Sequence, residues 1–228
     1  DIDYIGKRSW EFHNYPAYRA GSYEKPALML FTLENMLGDR LWTEIMRTYV
    51  QRFQFQHPTP QDFIDVVNEF APQPMDDFFE QILNEPGFVD YAVTRVSSEE
   101  ATPPQGLYGT GEQREYEKQE MEETQYVSQV EVRRLGTYTL PVDVAVTFED
   151  GETVTERWDG QDRMRIYQYE GPVRAVSAQI DPDRTLMLDA NPANNGRFAD
   201  KDAYPAVRWA TQFLFWLQDL LETITIFS

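Results

Sequence analysis

Two histidines, thirteen tyrosines and no cysteine set the chemical inventory of this 228-residue chain. Without thiols there is neither a disulfide frame nor a thiolate metal site. His13 and His57 are not spaced as a helical metal pair, and H-E-x-x-H occurs nowhere. His57, just ahead of Pro58 and Thr59, reads as a turn residue. His13, among Trp10, Phe12 and Tyr15, reads as a packed or half-exposed histidine. Ser22 sits in no nucleophile motif, Asp76-Asp77 marks a helix start, and Glu99-Glu100 are loop acids. The glycines from 106 to 111 are not followed by a Lys-Ser/Thr helix, which excludes a phosphate loop. Asp181, Asp183 and Asp189 offer oxygens to calcium but lack the twelve-residue loop pattern, so turn chemistry accounts for them better. Tyr23 differs from these. It stands just before an apolar helix, and such a residue can have its ring fixed by the helix while its hydroxyl faces a cleft. The plainer alternative is an ordinary helix-turn-helix pair.

The elements that must position Tyr23 follow from periodicity. Residues 1–22 read as irregular and partly helical, and Pro26 suits a first helical turn. Ala27, Leu30, Phe31 and Leu37 fall on one face of the next helix, which Gly38 stops. Leu41, Trp42, Ile45, Met46, Tyr49, Val50 and Phe53 keep helical rhythm in the clearest helix of the chain. Thr59-Pro60-Gln61-Asp62 opens a third helix with a cap, a proline and an acid, and Phe63, Ile64, Val66, Val67 and Phe70 form its buried stripe. Met75, Phe78, Phe79, Ile82 and Leu83 make a fourth, ended at Pro86-Gly87.

Beyond Gly87 the period becomes 2. Strands are expected around Val89–Val93 and Val130–Val132, over residues 142–149, 153–158, 164–169 and 173–180, and finally at Leu186–Leu188. Glu149-Asp150-Gly151 signals a hairpin turn. About seven closely spaced strands favour a β-sandwich of immunoglobulin-like type. Residues 97–125 hold eight glutamates against one Arg and one Lys and read as a long acidic, solvated loop. Residues 205–227 form an amphipathic helix whose charges argue against a membrane span. Its wide apolar face suits docking on the β-domain, a membrane surface or a partner.

The fold class is therefore α+β, with a helical segment at 1–86, a β-sandwich domain at 87–200 and a C-terminal helical part at 201–228. A formal charge of −19 argues against nucleic acid, whose phosphates need Lys and Arg, and favours solubility or a surface adapted to high salt. The chain opens on Asp-Ile-Asp with no signal-like stretch and reads as a fragment of a longer protein. Its compartment stays open, a membrane-associated or exported parent being compatible with it.

The wording of residues 8–95 resembles the segment that follows the zinc site in M1-family metallopeptidases. The matching residues are Tyr23-Glu24-Lys25, then Leu33, Glu34, Leu37 and Gly38, then Tyr49, Phe53 and Phe55, and then 57–63. Tyr18, five residues before Tyr23, fits the same pattern, whereas Pro26 departs from the usual glycine. The resemblance implies the end of a gluzincin-type catalytic domain, followed by the immunoglobulin-like sandwich and the C-terminal helix. It implies that Tyr23 is the catalytic oxyanion donor and that Tyr18 contributes to substrate binding. Zinc, its ligands and the general base would belong to the N-terminal remainder of the same protein, with no cofactor held in this chain. The chain alone would then be inactive, and a peptide would be the substrate of the full protein. The alternative is a non-catalytic module that keeps the peptidase architecture for binding or scaffolding.

Overall fold

The computed structural model describes residues 3–102, 105–108, 115–118 and 124–199, with isolated positions 213, 216 and 217. A short helix α1 (Tyr15–Arg19) is capped by Asn14, whose Oδ1 accepts from Ala17 N. It runs through a π-helical turn (Ala20–Glu24) into α2 (Lys25–Leu37). Gly38, at φ 81°, ends α2 and admits α3 (Asp39–Phe53) after a single residue. Then come α4 (Pro60–Phe70) and α5 (Asp76–Asn84). The Thr59 side chain and the Asp62 carboxylate cap α4 reciprocally, as the sequence predicts.

The buried face of α2 is not the expected one. Met29, Thr32 and Leu33 face the core, Leu30 and Leu37 are half-buried against it, and Ala27 and Phe31 are exposed. Apolar residues surround this helix, so periodicity alone cannot select a face.

From Tyr91 the chain is antiparallel. Strands β1 (Tyr91–Glu100), β4 (Tyr126–Arg134) and β7 (Met164–Gly171) form one sheet in the order β1-β4-β7. Strands β6 (Thr153–Trp158), β5 (Val142–Phe148), β8 (Ala175–Ile180) and β9 (Gly196–Phe198) form a second in the order β6-β5-β8-β9. The expected turn at Glu149-Asp150-Gly151 joins β5 to β6, with Gly151 at φ 88°.

Two sequence expectations are corrected. Residues 97–125 are not wholly loop: β1 continues to Glu100 opposite Tyr126, and β2 (Gln105–Tyr108) pairs with β3 (Glu115–Lys118). Leu186–Leu188 is not a strand. Asp181 accepts from Thr185 N and Leu186 N through its two carboxylate oxygens, which turns the chain there and leaves only a bridge between Val89 and Asp189.

One core unites the helical region with both main sheets. It runs from Leu33, Ile45, Val67, Phe79 and Ile82 to Tyr91, Val130, Val144 and Trp158. The Tyr91 hydroxyl donates to Leu140 O at 2.6 Å and accepts from Leu140 N at 3.0 Å, which satisfies a polar group inside that core. The expected helix at 205–227 lies outside the described residues except for Phe213, Trp216 and Leu217, which are helical and exposed. Among the described residues no helix is long and apolar enough to cross a membrane.

Candidate functional site

Tyr23 lies within the π-helical turn between α1 and α2. Such single turns carry one extra residue per hydrogen-bonded ring and recur at functional sites. The side chain is 63% exposed. Its ring meets Tyr18 edge-on at 6.1 Å, and Tyr18 in turn meets Phe12 at 5.7 Å and Tyr15 at 6.3 Å. Tyr18 is half-buried in this cluster. A hydrogen bond with Tyr18, followed by the electrostatics of the same neighbour, raises the Tyr23 phenol above its ordinary value. A phenol is neutral near pH 7 with or without this shift and can act as a donor.

Gly21, between the two tyrosines, is buried because the Phe12 ring lies against it; a Cβ there would stand 2.5 Å from Phe12 Cε1. The ring cluster and the turn thus depend on a residue without a side chain.

Each residue of Tyr23-Glu24-Lys25 has a different fate. Tyr23 points to solvent, and Glu24 pairs with Arg19 at 2.7 Å on the surface. Lys25 turns inward. Its ammonium donates to Asp3 O at 3.1 Å, Gly87 O at 3.1 Å and the Tyr138 hydroxyl at 2.8 Å. Tyr138 passes the link on, donating to Glu85 O at 2.7 Å. Burial lowers Lys25 to about 8, against a smaller opposing pull from Asp3. Nothing in the sequence marks Lys25 as inward, because lysines ordinarily face water. The only signal is its place in the quoted tripeptide.

The remaining chemical candidates are not brought to this place. His13 and His57 are both exposed and belong to different segments. Among the described residues no group of three or more His, Cys, Asp or Glu is placed to hold a metal ion, so zinc does not fit the residues present. A cleft of about 480 Å³ opens between α5 and residues 139–141, lined among others by Met75, Phe78, Gln81, Leu140 and Asp159; it includes neither Tyr18 nor Tyr23.

Comparison with known proteins places residues 11–82 in a match to the peptidase family M1 domain. No curated protein matches the sequence. Among solved structures, Legionella pneumophila aminopeptidase A in complex with aspartic acid is similar at 13% identity and a TM-score of 0.47, over 76% of this chain and 18% of that one. The chain thus spans under a fifth of the length of that aminopeptidase.

Proposed function

We propose, on the premise that residues 11–82 carry a peptidase family M1 segment, that this chain is the C-terminal portion of an M1-like zinc aminopeptidase. In this reading Tyr23 donates a hydrogen bond to the oxygen that becomes negative as water attacks a peptide carbonyl. Tyr18 orients that phenol and lines the place where substrate lies, and the helices wall the cleft. Zinc and its ligands would come from the remainder of the protein, since the residues described here do not fit them. The immunoglobulin-like identity of the two packed sheets and an amphipathic helix at 205–227, free to meet a partner or a membrane surface, belong to the same proposal.

The observation that carries the reading is the place of Tyr23: exposed, in a π turn, with its ring set edge-on against Tyr18. A preorganised neutral donor costs no rearrangement when charge develops, and removing one such donor typically lowers turnover by about 100-fold or more. Tyr15, Leu28 and Phe31 are also exposed around the turn and offer surface for the N-terminal remainder of the same protein.

The test is turnover of aminoacyl-nitroanilide substrates by the full-length parent and its Tyr23→Phe variant. A drop of about 100-fold in kcat with KM nearly unchanged is expected. A drop below about tenfold removes the role from Tyr23. A parent lacking the zinc motif would instead favour the non-catalytic binding or scaffolding module.

A further inference from the structure

The cleft between α5 and residues 139–141 joins an apolar floor to a charged rim. Met75, Phe78 and Leu140 line it as buried side chains, and Met36 of α2 lines it half-buried. Asp77, Glu80, Glu85 and Asp159 line it as exposed ones. No described Lys or Arg lines the cleft, and none forms an ion pair with these acids. The volume of about 480 Å³ falls within the span of roughly 300–1,000 Å³ usual for ligand sites.

The walls are set before any ligand arrives. Gln81 Oε1 accepts from Thr139 N at 2.7 Å and from Thr139 Oγ1 at 3.0 Å, which ties α5 to the opposite wall. The buried Arg134 guanidinium donates to Gly136 O at 3.0 Å and Thr137 O at 3.1 Å. It also donates to Gly160 O at 2.8 Å and Gln161 O at 3.3 Å. One side chain thus fixes the two loops that carry Leu140 and Asp159. Its charge is spent on backbone carbonyls, which leaves the rim unneutralised. A preformed cleft of this kind binds without the cost of ordering its loops.

We propose that this cleft binds a peptide segment in which Lys or Arg flanks apolar residues. The apolar side chains would lie against Met36, Met75 and Phe78, where thioethers adapt to varied shapes. The cations would meet the rim, whose sign complements theirs. Charge also selects the class of occupant. At a formal charge of −19, a second copy of the chain brings the same sign to the rim. Nucleic-acid phosphates and anionic lipid surfaces do so too. A small polyamine would satisfy the rim but leave the apolar floor uncovered.

The peptide Ac-Lys-Leu-Leu-Arg-amide is titrated into the chain by calorimetry at constant ionic strength, beside Ac-Glu-Leu-Leu-Glu-amide and spermine. One saturable site for the basic peptide is expected, at least about tenfold tighter than for either comparator. Asp77→Asn combined with Glu85→Gln should weaken it at least about threefold. Glu152→Gln combined with Glu170→Gln removes equal charge from exposed acids elsewhere and should leave it unchanged. Binding is read without turnover, so the outcome is independent of the role of Tyr23. Absence of a saturable site overturns the proposal. So does equal weakening by the two double variants, because the acidic surface as a whole would then attract the peptide. Spermine binding as tightly as the peptide likewise overturns it, the floor then playing no part. Dimerisation that closes the site would assign the cleft to a second copy, and loss of the site in the full-length parent would assign it to the remainder of that protein; either result overturns it.

Discussion

Lys25 illustrates how one side chain can set a pH dependence. Its ammonium is lowered to about 8 by burial against an ordinary 10.5. Between those values the unfolded chain binds more protons than the folded one, so folding stability rises with pH across this window. Tyr91, Tyr138 and Tyr169 act with the opposite sign. Burial pushes each to about 12 from 10.0, so the stability they confer is complete below pH 10 and is lost as pH climbs through 12. Chemical denaturation across this range should show stability gained from about pH 8 to 10 and lost beyond it. Lys25→Met should abolish the rising limb. A rising limb of unchanged height in that variant would refute the assignment.

At the level of elements, the π turn is where a small change has a large local effect. Gly21→Ala would drive a methyl group into the Phe12 ring and displace the stack that supports Tyr18 and Tyr23. Near-ultraviolet circular dichroism should lose tyrosine signal while far-ultraviolet helicity stays nearly constant. The α4 cap gives a cleaner case: Thr59→Ala removes the Oγ1 that accepts from Asp62 N, leaves the Thr59 N–H donating to the Asp62 carboxylate, and should cost about 1 kcal/mol in a denaturant titration. The cap was legible because Thr59-Pro60-Gln61-Asp62 states its own geometry. The β5–β6 hairpin was legible in the same way, its turn residues and alternation agreeing. The face of α2 was not, since Leu28, Leu30 and Phe31 compete with Met29 and Leu33 for the core. The β2–β3 pairing was hidden by glutamates and glycines that carry no apolar alternation. Tyr23 was singled out only by the wording around it, and the contact of Gly21 with the Phe12 ring and the inward course of Lys25 required coordinates.

For the molecule as a whole, a continuous core and a chain of polar links bind the helical region to the sheets. Lys25 reaches Gly87 and Tyr138, Gln81 Oε1 accepts from Thr139 N at 2.7 Å, and Thr32 holds Leu188. Calorimetry should therefore record one unfolding transition, with its van't Hoff and calorimetric enthalpies equal. Tyr138→Phe deletes both an acceptor for Lys25 and the donor to Glu85 O. It should lower the transition temperature more than Tyr15→Phe, whose side chain is 73% exposed. Two resolved transitions in the unmodified chain would show that the regions fold separately.

The inward lysine sits two positions after the outward phenol, and the distance along the chain has a mechanical meaning. A lever supported next to its tip transmits little wobble to it. Anchored to Gly87 and Tyr138 at that point, the start of α2 takes its alignment from the sheets rather than from the far end of its own helix. Damage to the β-region would therefore misdirect the tyrosine hydroxyl without touching any ring in its stack.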